Sequence, residues 1–358
     1  MLRNARPMRF ALFVMFALAV SLGGCGSLGP RTLDRDQINY GNSIGDNWKN
    51  QMLANLVKIR YVDMPVFVDV GQIVSGYTLE TQVSGTLGWG TSLTGADSQG
   101  LGAGGRYTDR PTITYMPKTG ENYLRSLLEP VKPESVLALI AAGYNTELLF
   151  TWAVEAINGV RNFSGTGVSS RAPDSGYYEF VDLMTVLQQS GAASFEVQTD
   201  PATGYQVIFT FVDRNISDEA RAQRRRVREL LGLEADRNEF HVIYAPFADQ
   251  PDQLALQTRS VLQMLYAMAS FVDVPADKAT RASGGHNLQP GIDRPFRVRT
   301  SAERPEDPFA SFKYHGDWYW IDHEDLISKR VFTLMLFMTT LTNQSGTENA
   351  PVLTIPTS

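Results

Sequence analysis

Tyr77-Thr78-Leu79-Glu80-Thr81-Gln82-Val83-Ser84-Gly85-Thr86-Leu87-Gly88-Trp89 alternates. Tyr77, Leu79, Val83, Leu87 and Trp89 fall on one face, and Thr78, Glu80, Gln82, Ser84 and Thr86 on the other. A period of two belongs to an extended strand, whose successive side chains point to opposite sides. The pattern runs on to Leu93. Gly85 to Gly105 holds eight glycines in 21 residues, and Arg106 to Met116 resumes as a β-like run. Together these predict a long β-hairpin over 77–116 with a glycine-rich, mobile tip. Pro111 has no N–H to give to a ladder, which puts the second strand at an edge or a bulge. Asp109, Arg110 and Pro111 interrupt that strand.

On the N-terminal side of the hairpin, Ile44, Trp48, Met52, Leu53, Leu56, Val57 and Tyr61 recur at steps of three and four, the apolar face of an amphipathic helix over 36–61. Val66–Val70 and Ile73 onward switch to strand chemistry. On the C-terminal side, helices are expected at 120–129, 133–142 and 145–158, the last ending at Gly159. A Ser/Gly-rich loop at 163–176 reads as a boundary between two lobes. Beyond it the expected order is helix 178–190, strands 194–198 and 205–212, helix 217–231, strand 239–244 and helix 252–272. A Pro/Gly/Asp linker (273–293), strand 295–300, a hairpin 309–321 turning at Gly316-Asp317 and a last helix 323–341 complete it.

Helix–strand–strand–helix runs without strict βαβ alternation give an α+β fold with short antiparallel sheets. The expected organisation is a signal peptide (1–24), a tether (25–35), an N-terminal lobe (36–162), a C-terminal lobe (177–342) and a disordered tail (343–358).

The chain is 358 residues long, with 43% hydrophobic and 10% aromatic residues, enough for a sizeable core and against global disorder. Its net charge of −6 argues against a general nucleic-acid binder. One cysteine, Cys25, excludes an intramolecular disulfide, a thiolate cluster and a CxxC redox pair.

The N-terminus places that cysteine. Arg3, Arg6 and Arg9 form a basic start, and Phe10–Leu22 is apolar apart from Ser21, the build of a secretory signal and too short for a comfortable bilayer span. Leu22-Gly23-Gly24-Cys25 then resembles the bacterial lipobox. The resemblance implies cleavage before Cys25 and acylation of its thiol and new amine. Gly26 and Ser27, with no aspartate after the cysteine, imply delivery to the outer membrane by similarity to Gram-negative lipoproteins. Acyl chains add about 0.8 kcal/mol of membrane affinity per buried methylene.

Chemical motifs are few. GxSxG and GxxxxGK[ST] are absent, and His323-Glu324-Asp325-Leu326-Ile327 lacks the second histidine of HExxH. Lys118-Thr119-Gly120 has no SxxK beside it. His315, Asp317, Asp322, His323, Glu324 and Asp325 gather imidazoles and carboxylates that suit a divalent cation. The plainer reading makes Gly316-Asp317 a turn and Asp322 the cap of the last helix. No metal or cofactor is expected. Arg221, Arg224, Arg225 and Arg228 fall at helical steps on 217–231, with Arg226 beside them. They form either a stripe for phosphates or an acidic partner, or a solvated helix face. Trp318-Tyr319-Trp320 suits sugar stacking or core packing. The final helix is apolar nearly all round, central to a core or buried at a subunit interface.

Three function classes follow. The first is a non-enzymatic envelope lipoprotein, held by membrane lipid through Cys25 and docking an envelope protein or its own copies. The second is a subunit of an oligomeric outer-membrane channel or export ring contributing the 77–116 hairpin, since membrane strands need about 9–11 residues. The third is an envelope hydrolase working through carboxylates.

Overall fold

A computed structural model describes residues 28–74, 77–88, 98–109, 112–166, 169–200, 204–214, 216–283 and 296–342. The signal segment, Cys25, the hairpin tip 89–97 and the tail 343–358 lie outside the described residues. Among those described, α-helices, one 3₁₀ helix and both mixed and antiparallel sheets give the expected α+β class.

The chain divides between Lys49 and Asn50 into two units. The first helix, α1 (Leu28–Arg60), crosses this division and begins inside the expected tether. Pro30 sits in its first turn, where the missing N–H has no helical partner to lose. In the first unit Ile38 and Trp48 are exposed, and Lys49 pairs with Asp46 at 2.7 Å. In the second unit the rest of α1 buries Met52, Leu53, Leu56 and Val57 in the core.

After α1 come β1 (Val68–Val74), β2 (Tyr77–Gly88), β3 (Ser98–Asp109) and β4 (Thr112–Pro117), then helices α2 (Glu121–Leu128), α3 (Pro133–Ala141) and α4 (Thr146–Ala153). β5 (Val154–Ile157), β6 (Val160–Arg161), β7 (Ser164–Thr166), β8 (Ser169–Arg171) and α5 (Tyr177–Gln189) follow. Next are β9 (Ala193–Asp200), β10 (Gly204–Phe211), α6 (Asp218–Leu231), β11 (Glu239–Ile243), β12 (Gln253–Thr258) and α7 (Val261–Ala269). The 3₁₀ helix Ala276–Arg281, strands β13 (Arg299–Ser301), β14 (Ala310–Tyr314), β15 (Asp317–Ile321) and helix α8 (Leu326–Thr342) end the described chain.

The main sheet has the order β6-β5-β12-β11-β10-β9, antiparallel except for the parallel pair β11/β12. Val207, Phe209 and Phe211 of β10 are buried, and Phe209 lies 5.0 Å from Phe195 and 4.7 Å from Phe211. A second aromatic cluster forms around Trp152, with Phe163 and Phe271 each at 5.8 Å and Phe296 at 6.1 Å. A three-stranded sheet, β13-β15-β14, and α8 add Tyr319, Ile321, Phe332 and Met338 to the same core.

Four sequence expectations are corrected. The helix expected over 145–158 stops at Ala153, and Val154–Ile157 is a strand. Asn158 (φ 42°) and Gly159 (φ 80°) turn it back into β6, the left-handed pair that Asn-Gly adopts in a two-residue hairpin. The helix expected over 252–272 divides: β12 runs to Thr258, and α7 begins after Ser260. The Ser260 hydroxyl accepts from the Gln263 N–H while the Gln263 side chain accepts from the Ser260 N–H, a capping box. The 309–321 hairpin turns at His315-Gly316 (φ 49° and 96°), one residue earlier than expected, again because both positions need positive φ. The segment 163–176 is not a division between lobes. It carries the small hairpin β7/β8, and strands from either side of it pair in one sheet, Leu256 with Ile157 and Gln257 with Ala156.

Candidate functional site

The most distinctive local structure is a double ribbon rooted in the α1 end. β1 pairs antiparallel with β4, with a bulge between Val70 and Gln72, and β2 pairs with β3 over twelve unbroken positions from Tyr77↔Asp109 to Gly88↔Ser98. Part of the expected glycine-rich tip, Ser98–Gly105, is therefore strand. Of the expected interruption Asp109-Arg110-Pro111, Asp109 is the last residue of β3, paired with Tyr77, and Arg110 and Pro111 lie outside the described residues.

The base of the ribbon is clamped. Asn55, 1% exposed, donates from Nδ2 to the Val66 carbonyl at 3.0 Å and accepts the Val66 N–H at 2.8 Å. Gln51 Nε2 donates to the Val68 carbonyl at 2.9 Å, and the Lys118 N–H donates to the Phe67 carbonyl at 2.9 Å. Phe67 packs edge-on against Tyr123 at 5.7 Å. The helix thus dictates where the ribbon leaves the body.

Directly paired residues of an antiparallel ladder share a face. Odd-numbered positions of both strands therefore form one face of β2/β3: Tyr77, Leu79, Thr81, Val83, Gly85 and Leu87 against Asp109, Tyr107, Gly105, Ala103, Leu101 and Gln99. Even-numbered positions form the other: Thr78, Glu80, Gln82, Ser84, Thr86 and Gly88 against Thr108, Arg106, three glycines and Ser98. The first face is mostly apolar, with Thr81 and Gln99 as its uncharged polar side chains besides the tyrosines and its one charge, Asp109, at the body end. The second is polar, sets Glu80 opposite Arg106, and Arg106 is exposed. No third strand joins this pair on either outer edge among the described residues. Exposed edges are ordinarily blunted by proline, lysine, bulges or shortness. β2 and β3 contain no proline or lysine and have no bulge in their shared ladder.

The arginine stripe of α6 separates into two kinds of residue. Arg224 is buried: Nη1 donates to the Val212 carbonyl at 3.0 Å and to Asp213 Oδ1 at 2.5 Å, and Nη2 to Asn238 Oδ1 at 3.0 Å. Arg228 is also buried, donating to the Arg237 carbonyl at 2.9 Å and to Asn238 at 2.8 Å, with its guanidinium 4.4 Å above the Phe211 ring. Burial lowers the Arg228 pKa, and hydrogen bonding from Arg224 holds Asp213 below the ordinary carboxylate value. Arg226 bridges to Glu179 at 2.6 Å and to Glu229 at 3.1 Å. Arg221 pairs with Asp218, and Arg221 and Arg225 are exposed. Half of the expected anion stripe, Arg221 and Arg225, thus stays on the surface, and the other half, Arg224 and Arg228, is a clamp holding α6 to the strand ends. Helical spacing could not reveal that Phe211, Asp213 and Asn238 would receive it.

The C-terminal His/Asp group is dispersed among structural roles. Asp317 pairs with Lys278, and Asp322 with Arg299 at 3.2 Å. Asp325, not Asp322, caps α8 by accepting from the Ser328 N–H at 3.0 Å and hydroxyl at 2.7 Å. No group of three or more His, Cys, Asp or Glu able to hold a metal occurs among the described residues. Tyr319 is buried between the half-buried Trp318 and Trp320, and its hydroxyl meets that of Tyr61 at 2.6 Å. Burial, and then the Tyr61 bond, raises the Tyr319 pKa. One face of α8 lies in the core, whereas Phe337 and Leu341 are exposed.

A cleft of about 410 Å³ opens beside the β12–α7 junction, lined by Leu128, Glu155, Tyr244, Thr258, Gln263 and Tyr266 among others. Both oxygens of Glu155 are engaged, Oε1 by Arg171 at 3.1 Å and Oε2 by Arg259 at 3.0 Å. A carboxylate fixed between two guanidiniums is a poor general base, since abstracting a proton would weaken both pairs. No helix among the described residues is long and apolar enough to cross a membrane. Compared with known protein families, curated proteins and solved structures, the chain matches none of them.

Proposed function

We propose that this protein is a lipid-anchored, non-enzymatic component of a bacterial cell-envelope assembly. Acylated Cys25 holds it to the outer membrane, and the 68–117 ribbon is its contact with the other members. The observation that carries the reading is the twelve-position β2/β3 ladder with no further strand on either edge among the described residues and no proline, lysine or bulge within it, on a base fixed by Asn55. An edge of this kind is a template for strand addition, in which main-chain hydrogen bonds supply affinity and alternate side chains supply selectivity. The lipobox resemblance supplies the membrane, and the engaged Glu155 in the described cleft favours binding over turnover.

Metabolic labelling with an alkyne-tagged fatty acid tests the anchor. Full-length protein is expected to take the label and to sediment with outer membranes, and Cys25→Ser to lose both. Unchanged sedimentation of an unlabelled chain would overturn the reading.

A further inference from the structure

The ribbon's two faces differ in chemistry, and that difference identifies what each one meets. Twelve residues at about 3.3 Å each extend about 40 Å, and a tilt of about 45° projects this to about 28 Å, close to the apolar thickness of a bilayer. Over that length the odd-numbered face carries Leu79, Val83, Leu87 and Leu101, with Thr81 and Gln99 as uncharged polar interruptions and no charge until Asp109. The even-numbered face carries the Glu80–Arg106 pair and an unbroken polar or glycine series. Apolar on one side and polar on the other is the pattern of a strand between lipid and a watery lumen.

A single hairpin cannot enter lipid, because its edge N–H and C=O groups would have no partner there. With no further strand on either edge of β2/β3 among the described residues, the same hairpin from adjacent copies can lie on each side and remove that objection. Glycines stand opposite Gln82, Ser84 and Thr86 in the register, the residue type found where a sheet bends. We propose that β2/β3 inserts into the membrane: its odd-numbered face meets acyl chains, its edges pair with β2/β3 of neighbouring copies of this chain, and its even-numbered face lines the resulting lumen. This rests on the anchored-assembly reading above and names the partner and the surface that reading leaves open.

Cys25 makes the test specific, since an acylated sulfur takes no maleimide. Full-length protein carrying one introduced cysteine at Leu79, Val83, Leu87, Thr78, Gln82 or Thr86 is labelled with an environment-sensitive fluorophore. It is then reconstituted into phosphatidylcholine/phosphatidylglycerol vesicles with quenchers on the acyl chains. Quenching is expected at the three odd positions and not at the three even ones. Donor- and acceptor-labelled copies at Gln82 should transfer energy, and dilution with unlabelled protein should abolish the transfer. Val83→Arg should lower the inserted population roughly 30-fold or more, the penalty for a cation facing mid-depth lipid, while Gln82→Arg leaves it unchanged.

A flat quenching profile with Cys25 blocked would overturn insertion and leave the anchor standing. Odd positions that are shielded but not reached by lipid quenchers would overturn it in favour of a protein partner. Quenching without energy transfer would refute the ring of copies. Maleimide uptake by the unsubstituted protein would instead sink the anchor.

Discussion

Arg259 offers the sharpest test of how the body is held together. It is 1% exposed and reaches three parts of the chain: Nε donates to Glu155 Oε2 at 3.0 Å, Nη1 to the carbonyls of Thr151 and Trp152 at 3.3 Å, and Nη2 to the Phe163 carbonyl. Its guanidinium also lies 4.6 Å from the Phe163 ring centre. Removing it loses the charged hydrogen bond to the Phe163 carbonyl, worth about 1.5–3 kcal/mol, and a partly desolvated cation–π contact of about 1–2 kcal/mol. Glu155 keeps Arg171 at 3.1 Å, which limits the cost of its lost partner. Arg259→Ala should therefore cost about 4 kcal/mol, within the range for breaking a buried ion pair. At roughly 2–4 °C per kcal/mol for a domain of this size, Tm should fall by about 8–16 °C. Equilibrium urea unfolding reads the free-energy loss and a thermal melt the fall in Tm, both followed by tryptophan fluorescence, with Trp152 5.8 Å from Phe163 as a nearby reporter. A double-mutant cycle with Glu155→Gln should give a coupling of about 1–3 kcal/mol. A loss below about 1 kcal/mol, or strict additivity with Glu155→Gln, would refute the clamp.

Other expectations follow from the same geometry. Asn55→Leu should cost about 2 kcal/mol and speed hydrogen exchange at the Val66 amide, because the Val66 N–H and C=O lose their buried side-chain partner; unchanged exchange would contradict a fixed ribbon base. Tyr61→Phe and Tyr319→Phe should each cost about 1 kcal/mol, and the double variant less than their sum, since removing both hydroxyls leaves neither stranded; thermal unfolding of the three variants decides it. The Asp213 carboxyl is held below its ordinary 3.8 by Arg224, so its stabilising effect is complete above that pH and is lost as the pH falls below it. Asp213→Asn should accordingly flatten the acid limb of the stability–pH profile and leave its alkaline limb unchanged, which denaturation across pH 2–9 measures.

The first strand of the ribbon is legible in the sequence because alternation from Tyr77 to Leu87 is a local property, and the α+β class follows from the order of such runs. The second strand, expected over 106–116, is instead Ser98–Asp109, and Thr112–Pro117 pairs with β1. What escaped was decided by contacts across the chain. Val154–Ile157 follows a helix with no polar break, and only Asn158-Gly159 announces the turn that makes it a strand. Leu254-Ala255-Leu256 is apolar in either conformation; the signal that separates it from α7 is Ser260 followed three residues later by Gln263, a capping box available to inspection but overridden by the apolar run. Arg224 and Arg228 sit at helical spacing whether they face water or Phe211, so spacing alone leaves the anion stripe and the internal clamp equal. The 163–176 loop has a linker's composition, yet Arg171 within it donates to Glu155 and to the Asn162 carbonyl, tying it to the body.

The central claim, that this chain works as a self-assembling ribbon on a lipid anchor, is tested most directly by the mass of the full-length acylated protein. It should be extracted from membranes in mild detergent and measured by light scattering after size exclusion. The account predicts a discrete multiple of the 39.7 kDa chain mass, corrected for the cleaved signal and bound acyl chains, that Val83→Arg reduces to the single-chain value and Gln82→Arg preserves. A single-chain mass for the unsubstituted protein at every concentration would contradict it.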